Sequence, residues 1–472
     1  MYRPLYARVL VYMLQSTEYE VKPYVQWLHR TKDFSSVMQR RTLEPTKAAR
    51  LLLMAVRLGI LSQVTLGVIC LYLGATNRLV GGIAFGATIL VSYPFVWAYG
   101  LAVPIVLGRI CISGPEQKRI IDESRVIFAK HPGIKIAVAG SYGKTSMKEL
   151  LATVLSEGKN VAATPANKNV SSSHGYFARK LTGKEDILII EYGEGAPGDI
   201  ARFAKITRPT HAVVTGLAPA HLDQYKTLEA AGEDIFSLKD NVPHKQLYVN
   251  ADSPASAPFI KKSYQTFSND GGLGWKVSGV KVGHEGTSFT ITKGKQKLKL
   301  ESRLVGYHQV GFLAFVAALA LSLGLTKTQV QAGIKKTAPF EHRMQPYQLS
   351  GAWIVDDTYN GNLEGIRAGT SLLKDIAAKR KIYVTPGLVD QGDEKEPVHI
   401  VVGELIAAAM PDIVVLMRNS VTDFIEQGLK KAGYKGKLQI EDNPLEFYTN
   451  LNHFVAAGDL VVMQNDWTDN YA

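Results

Sequence analysis

The sequence predicts an α/β protein. A mostly parallel sheet is built around a glycine-rich turn, a second α/β unit follows it, and a two-helix apolar hairpin of membrane-spanning length precedes both. Three observations carry this. From residue 134 onward, short apolar runs alternate with stretches of helical spacing, a pattern that implies parallel strands. A turn from Gly140 to Thr145 lies between the strand-like IKIAVAG (134–140) and the helix-like SMKELLATVLSEG (146–158). Two uncharged apolar runs, 58–74 and 79–108, flank the short turn ATNR.

Length and composition set the limits. A chain of 472 residues is expected to hold two or three domains. The expected divisions are a membrane-associated region over 1–112, with transmembrane helices at about 52–74 and 79–108, a nucleotide-binding domain over 113–340, and a second α/β domain over 341–472. At 46% hydrophobic and 20% charged, the chain is globular with a membrane-leaning tilt. Two cysteines, Cys70 and Cys111, exclude a disulfide scaffold and a four-cysteine zinc site. The net charge is +12, and residues 1–50 hold nine Lys/Arg against four Asp/Glu. A basic segment beside an apolar one points to an anionic membrane surface. No interleaving of aromatic and basic residues argues for nucleic acid.

The flanks orient the hairpin. Arg40, Arg41, Lys47, Arg50 and Arg57 precede the first run, Arg109, Lys118 and Arg119 follow the second, and only Arg78 lies between them. The positive-inside bias then puts both ends in the cytoplasm. The other reading of the hairpin is a buried core element of a soluble protein.

The turn has the form G-x-x-G-K-T, shorter than the common phosphate loop. Between a strand and a helix, Gly140, Ser141 and Gly143 let backbone N–H groups and the helix N-terminus point at phosphates, which Lys144 neutralises. Thr145 would hold Mg²⁺ through its hydroxyl, and Ser146 opens the helix. Further strands are DILIIEYG (186–193), HAVVTG (211–216) and QLYVNAD (246–252). Glu191 closes the first of these and His221 follows the second. A strand-end Glu is otherwise a solvated terminus and a lone His structural, but their place downstream of the loop marks both as metal candidates. Residues 275–300 alternate like an antiparallel meander. AWIVDD, KIYVTPG, DIVVLM and DLVVMQ read as strands of the last unit.

The ordered set of G-x-x-G-K-T, TPANKN (164–169), IIEYGEGAPGDIARFAKITRP (189–209), TGLAPAHLD (215–223), VGYHQVGFLAFVAALALSLGL (305–325), EHRMQ (341–345) and DDTYNGNLEGIRAG (356–369) resembles the Mur ligases over roughly residues 130–466, in particular their D-alanyl-D-alanine-adding branch. The resemblance implies a P-loop central ATPase domain and a Rossmann-like C-terminal α/β domain. It implies an ATP-dependent ligase that activates a carboxylate as an acyl phosphate for attack by an amine. Lys144, Glu191 and His221 would be catalytic, with Mg²⁺ on Thr145, Glu191 and His221. Gly140, Ser141, Gly143, Lys144, Thr145 and Ser146 would hold ATP with Arg343 and Asp357, the Asp at the ribose. Tyr359, Asn360 and Asn362 would lie at the domain junction, and Thr164, Asn167 and Asn169 on the acceptor-chain side. The implied partners are a muramoyl-peptide precursor, UDP- or lipid-linked, and D-alanyl-D-alanine or another amine. The implied location is the bacterial inner membrane, with the catalytic domains cytoplasmic.

Four features depart from the family pattern. AAGEDIF (230–236) lacks the carbamylated Lys, for which Glu233 or Asp234 is a candidate replacement. Gly311 stands where the family has an adenine-contacting Asn. Gln464-Asn465-Asp466 replaces a basic terminal cluster, consistent with a loop meeting a different second substrate. The hairpin occupies the place of the usual UDP-binding domain, which leaves the UDP end unrecognised or the substrate already on a lipid. Rival readings are a ligase using another amine on a lipid-linked precursor, and a membrane-tethered ATP-binding scaffold. The apolar run in 305–325 reads as buried core, and His399 as structural.

Overall fold

The computed structural model describes residues 6–17, 19–31, 43, 45–166, 168–219, 222–359, 361–389, 391 and 394–465. Arg40, Arg41, Asn167, His221, Asn360 and Asp466 lie outside the described residues. The chain forms two compact units, Met1–Arg119 and Ile120–Ala472.

Every element in the described part of the first unit is helical. Thr46 caps the helix Lys47–Ala75 by accepting from Ala49 N at 3.1 Å. The N–H groups of Arg78 and Leu79 both donate to Leu73 O, and Gly81 takes a left-handed φ of 73°, so the next helix starts at Gly82 rather than at 79. Helical structure then continues past Pro94 to Gly100, through Ala102–Gly108 and a π-helical turn at Arg109–Ser113. The two long helices touch backbone to backbone. A Cβ on Gly82 would lie 2.8 Å from Gly74 Cα, and one on Gly86 would lie 2.7 Å from Gly67 O. A polar clasp joins them: Trp97 Nε1 donates to Gln63 Oε1 at 3.0 Å, and Gln63 Nε2 to Ile89 O at 3.1 Å. Both helical runs, from Lys47 and from Gly82, are long and apolar enough to cross a membrane. Leu61 and Val91 point outward, 63% and 61% exposed.

The second unit carries two sheets. Strands β1 (Ile134–Ala139), β2 (Val161–Ala163), β3 (Ile187–Glu191), β4 (His211–Val214), β5 (Leu247–Asn250), β6 (Gln265–Ser268), β7 (Gly271–Gly272), β8 (Trp275–Gly283), β9 (Gly286–Lys293) and β10 (Gln296–Ser302) form the first. Their order is β10-β9-β8-β7-β6-β5-β4-β1-β3-β2, parallel from β2 to β6 and antiparallel from β6 to β10, which includes the expected meander. The central parallel strands are mostly apolar, with their polar residues at or near the ends, because helices cover both faces. The helix Val310–Ser322 is buried from Val310 to Ala320, with Phe315 stacked on Phe267 at 4.3 Å. Burying each of its large side chains stabilises the unit by about 1.5–3 kcal/mol. This is core, as the sequence predicts.

The second sheet comprises β11 (Gln345–Leu349), β12 (Ala352–Asp357), β13 (Arg380–Thr385), β14 (Ile413–Met417), β15 (Lys437–Glu441) and β16 (Asp459–Gln464), ordered β11-β12-β16-β13-β14-β15. All neighbours are parallel except β11 and β12. His399 is structural: Leu388 N donates to its Nε2 at 2.9 Å and its Nδ1–H donates to Lys395 O, tying the loop after β13 to the next helix.

Candidate functional site

Strand β1 lies between β4 and β3, so the chain leaves its carboxyl end where the strand order reverses, the usual place for a crevice. The glycine-rich turn opens there. Gly140 has φ 140°, and a Cβ on it would run into Gly216 O at 2.8 Å, so only glycine fits. Gly143, at φ 72°, precedes the helix Lys144–Leu155. The Thr215 hydroxyl donates to Ala139 O at 3.2 Å and also bonds Tyr142 O, and Ser141 N donates to Gly216 O at 2.9 Å. With Ser141 N committed, the phosphate donors left are the later N–H groups of the loop and the first turn of that helix.

Glu191 is buried at the end of β3, 1% exposed. Its Oε1 accepts from the Thr145 hydroxyl at 3.1 Å and from Asn169 Nδ2 at 3.2 Å, and its backbone N–H donates to Thr164 Oγ1 at 3.1 Å. Thr164 and Asn169, expected on the acceptor-chain side, therefore hold Glu191. Thr164 is buried, and its hydroxyl is already engaged. Glu191 Oε2 is buried and has no hydrogen-bond partner among the described residues. A buried carboxylate beside a loop hydroxyl offers the oxygen donors that a hard divalent cation prefers.

Sequence reasoning missed three residues around this point. Lys148 is fully buried; its Nζ lies 3.5 Å from Glu191 Oε2 and 3.0 Å from Glu149 Oε1, and bonds Ala166 O. Its helical position, four residues past Lys144 and facing inward, was the available signal. Glu194, three residues past Glu191, accepts from Lys144 Nζ at 2.7 Å. His174 donates from Nε2 to Glu191 O at 2.8 Å, and burial pushes its imidazole down to about 4, so it is neutral.

A cavity of about 350 Å³ runs from the loop to the second sheet. Tyr142, Gly143 and Ser146 line it from the loop, and Arg343, Asp357 and Asn362 from the far side, so the structure brings the expected Gly143, Ser146, Arg343, Asp357 and Asn362 together and adds Tyr142. Tyr359 stands outside the lining, its ring 4.3 Å from the Arg343 guanidinium carbon in a cation–π contact. Asn362 caps the helix Leu363–Asp375 by accepting from Gly365 N at 2.9 Å. Asp357 accepts from Gln464 Nε2 at 2.8 Å and Met344 N at 3.1 Å; burial pushes its carboxyl up to about 6. His308, also in the wall, is driven by burial to about 4 and is neutral.

Three departures from the family pattern now have a physical account. Gly311 N donates to Asn269 Oδ1 at 2.8 Å, and Asn269, in the turn between β6 and β7, lines the cavity. A side chain from the turn thus occupies space that a longer residue 311 would need. Glu233 is exposed, and both oxygens of Asp234 are committed, to Gly198 N at 2.9 Å and the Tyr225 hydroxyl at 2.8 Å. Gln464 and Asn465 are buried and hold Asp357, by the side chain of one and the backbone N–H of the other.

A family model of the Mur ligase middle domain matches residues 138–320. The UDP-N-acetylmuramoyl-tripeptide--D-alanyl-D-alanine ligase of Escherichia coli (strain K12) is 29% identical over 327 residues, 65% of this chain and 72% of that protein. The enzyme of the same name from Mycobacterium tuberculosis (strain ATCC 25618 / H37Rv) is 31% identical over 284 residues, 57% of this chain and 55% of that protein. In fold, the chain is similar to MurF of Acinetobacter baumannii, with TM-score 0.65 at 20% identity, covering 74% of this chain and 77% of that one. It is similar also to the MurF ligase of Thermotoga maritima in complex with ADP, with TM-score 0.65 at 22% identity, covering 74% and 80%. The loop and Glu191 fall in the matched segment, as does the helix Val310–Ser322 up to Ala320. Residues 138–320 match the Mur ligase middle domain, and the chain is a homologue of the D-alanyl-D-alanine-adding Mur ligases.

Proposed function

We propose that this chain is a membrane-anchored, ATP-dependent ligase of peptidoglycan precursor synthesis that joins D-alanyl-D-alanine to a muramoyl tripeptide. The observation that carries the reading is the cavity shared by Tyr142, Gly143 and Ser146 of the loop and by Arg343 and Asp357 of the second sheet. One nucleotide can lie there with its phosphates on the first turn of the helix Lys144–Leu155 and its ribose at Asp357. The tripeptide carboxylate attacks the γ-phosphorus and ADP leaves. The amine then attacks the acyl carbon, phosphate leaves, and the amine proton passes to solvent or a base. Mg²⁺ held by Thr145 and Glu191 would supply charge neutralisation on the phosphates. Arg343, held by the Tyr359 ring, closes the site from the second sheet and helps keep water from the acyl phosphate.

The hairpin favours one refinement. Two apolar helices with basic flanks anchor the chain in the inner membrane with the loop on the cytoplasmic side, where a lipid-linked precursor is confined to the same plane. The test is phosphate release and product mass with the tripeptide offered in UDP-linked and lipid-linked forms, each with and without D-alanyl-D-alanine, and Lys144→Ala as control. Product with either form supports the ligase. Product only with the lipid-linked form supports the refinement. ATP binding with no product from any pair overturns both in favour of a scaffold.

A further inference from the structure

Lys144 does not extend toward the cavity. Its Nζ folds back to Gly140 O at 2.6 Å and to Glu194 Oε2 at 2.7 Å. The pair is enclosed, with the lysine side chain 14% exposed and the glutamate 2%. Glu194 Oε1 is buried with no hydrogen-bond partner among the described residues, as is Glu191 Oε2 on the neighbouring side of the loop. Two buried carboxylates therefore flank the loop, each with one oxygen that accepts no hydrogen bond among the described residues. Glu191 has Lys148 and Glu194 has Lys144 as compensating cations. Lys148 has further ties to Glu149 and Ala166 O, deep in the helix, whereas Lys144 is the loop residue that polyphosphate would attract.

These facts set two demands against each other. A nucleotide that draws Lys144 onto its phosphates opens the Lys144–Glu194 pair and strands a buried carboxylate beside an incoming polyanion. Breaking such a pair without replacement is strongly unfavourable, because the remaining charge is desolvated and unopposed. A divalent cation arriving with the phosphates replaces the lost positive charge.

We propose that Glu194 makes nucleotide binding conditional on the divalent cation: it holds Lys144 on its own loop when the site is free, and the cation offsets its charge when phosphates take the lysine. The inference rests on the nucleotide-site reading above but not on the identity of the amine or the carboxylate. Glu194 is a positioning residue, acting through Lys144 and through the local charge.

The test is calorimetric titration of the detergent-held full chain with ADP, in excess Mg²⁺ and in EDTA. It compares wild type with Glu194→Gln, which is nearly isosteric, and with Glu194→Asp, which keeps the charge. The expected ratio of the two dissociation constants is about 100-fold in wild type, within the usual range of coupling between sites. Glu194→Gln is expected to bind ADP about tenfold more tightly than wild type in EDTA and to lose most of the ratio, and Glu194→Asp to retain it. A merely structural role would weaken binding in both media and leave the ratio alone. The proposal is overturned if Glu194→Gln keeps the wild-type ratio, or if thermal melts show it folded with unchanged affinity in EDTA. Wild type that binds no ADP in either medium overturns both this proposal and the nucleotide-site reading. Intact coupling without ligated product overturns only the ligase.

Discussion

Gln464 Nε2 donates to Asp357 Oδ2 at 2.8 Å while Gln464 Oε1 accepts from the Tyr383 hydroxyl at 2.7 Å. An amide at the end of β16 therefore fixes the carboxylate at the end of the adjacent β12, and Tyr383 on β13 fixes the amide. Three neighbouring strands agree on one side-chain position at the cavity.

The first prediction follows from that carboxylate. Burial lifts Asp357 from its usual 3.8 to about 6, against the pull of the Gln464 and Met344 donors. Asp357 is thus ionised above about pH 6, and ADP affinity should fall as pH drops through that value. The stability effect has the opposite sense. The folded state binds this proton more tightly than the unfolded one, so the cost of burying the charge is absent below the unfolded value, grows toward pH 6 and is constant above it. Gln464→Leu removes a donor and should move the binding midpoint upward; Asp357→Asn should flatten the profile. Calorimetry across the acid range decides, and a wild-type profile without a transition near pH 6 would remove Asp357 from the nucleotide site.

Lys148 should prove a keystone of the loop. Replacing it with Met leaves Glu191 as a buried, uncompensated charge, with an expected loss of about 3–5 kcal/mol. Adding Glu191→Gln to Lys148→Met should restore most of the loss in denaturant unfolding. Equal stability of the single and double variants would show that the two residues are not coupled.

Gly311 is expected to resist enlargement. A Cβ there would meet Ser268 C at 2.9 Å and Asn269 N at 3.0 Å, both backbone atoms. Gly311→Asn should cost about 1–3 kcal/mol by overpacking and should weaken ADP binding by displacing Asn269. Thermal midpoint and ADP affinity are the two readings, and an unchanged pair would mean the β6–β7 turn gives way freely.

Asp234 should matter for folding and not for metal. Asp234→Ala leaves Gly198 N without its acceptor and the Tyr225 hydroxyl with only Ala196 O at 3.2 Å, an expected cost of about 1–3 kcal/mol. The Mg²⁺ concentration at half-maximal ATP turnover should not move. If it shifts, Asp234 belongs at the metal after all.

Much of this architecture was legible because it rests on local rules. The strand-turn-helix around Gly140 and Gly143 announces itself, since glycine is the residue that most readily takes a positive φ, and the strands named from AWIVDD, KIYVTPG, DIVVLM and DLVVMQ are β12, β13, β14 and β16. What escaped is non-local or lacks apolar patterning. QPYQL (345–349) carries two glutamines and a proline, tolerable on an edge strand such as β11. Lys148 and Glu194 look like solvated charges until the fold buries them. Gln464 reads as a missing basic residue until Asp357, more than a hundred positions earlier in the chain, comes beside it. Asn269 and Gly311 exchange roles across forty-odd residues, which no spacing rule reports.

The glycine seam of the hairpin sets an uneven tolerance to change. Over most of the helices Lys47–Ala75 and Gly82–Gly100, one apolar side chain can replace another, because those positions face outward and specify no partner. At Gly67, Gly74, Gly82 and Gly86 even a methyl group meets a neighbouring helix. A saturation-mutagenesis profile of the segment should therefore show sharp minima at these glycines, four residues apart on the second helix and seven apart on the first, with further minima at Gly59, which faces the Trp97 ring, and at the Gln63–Trp97 clasp.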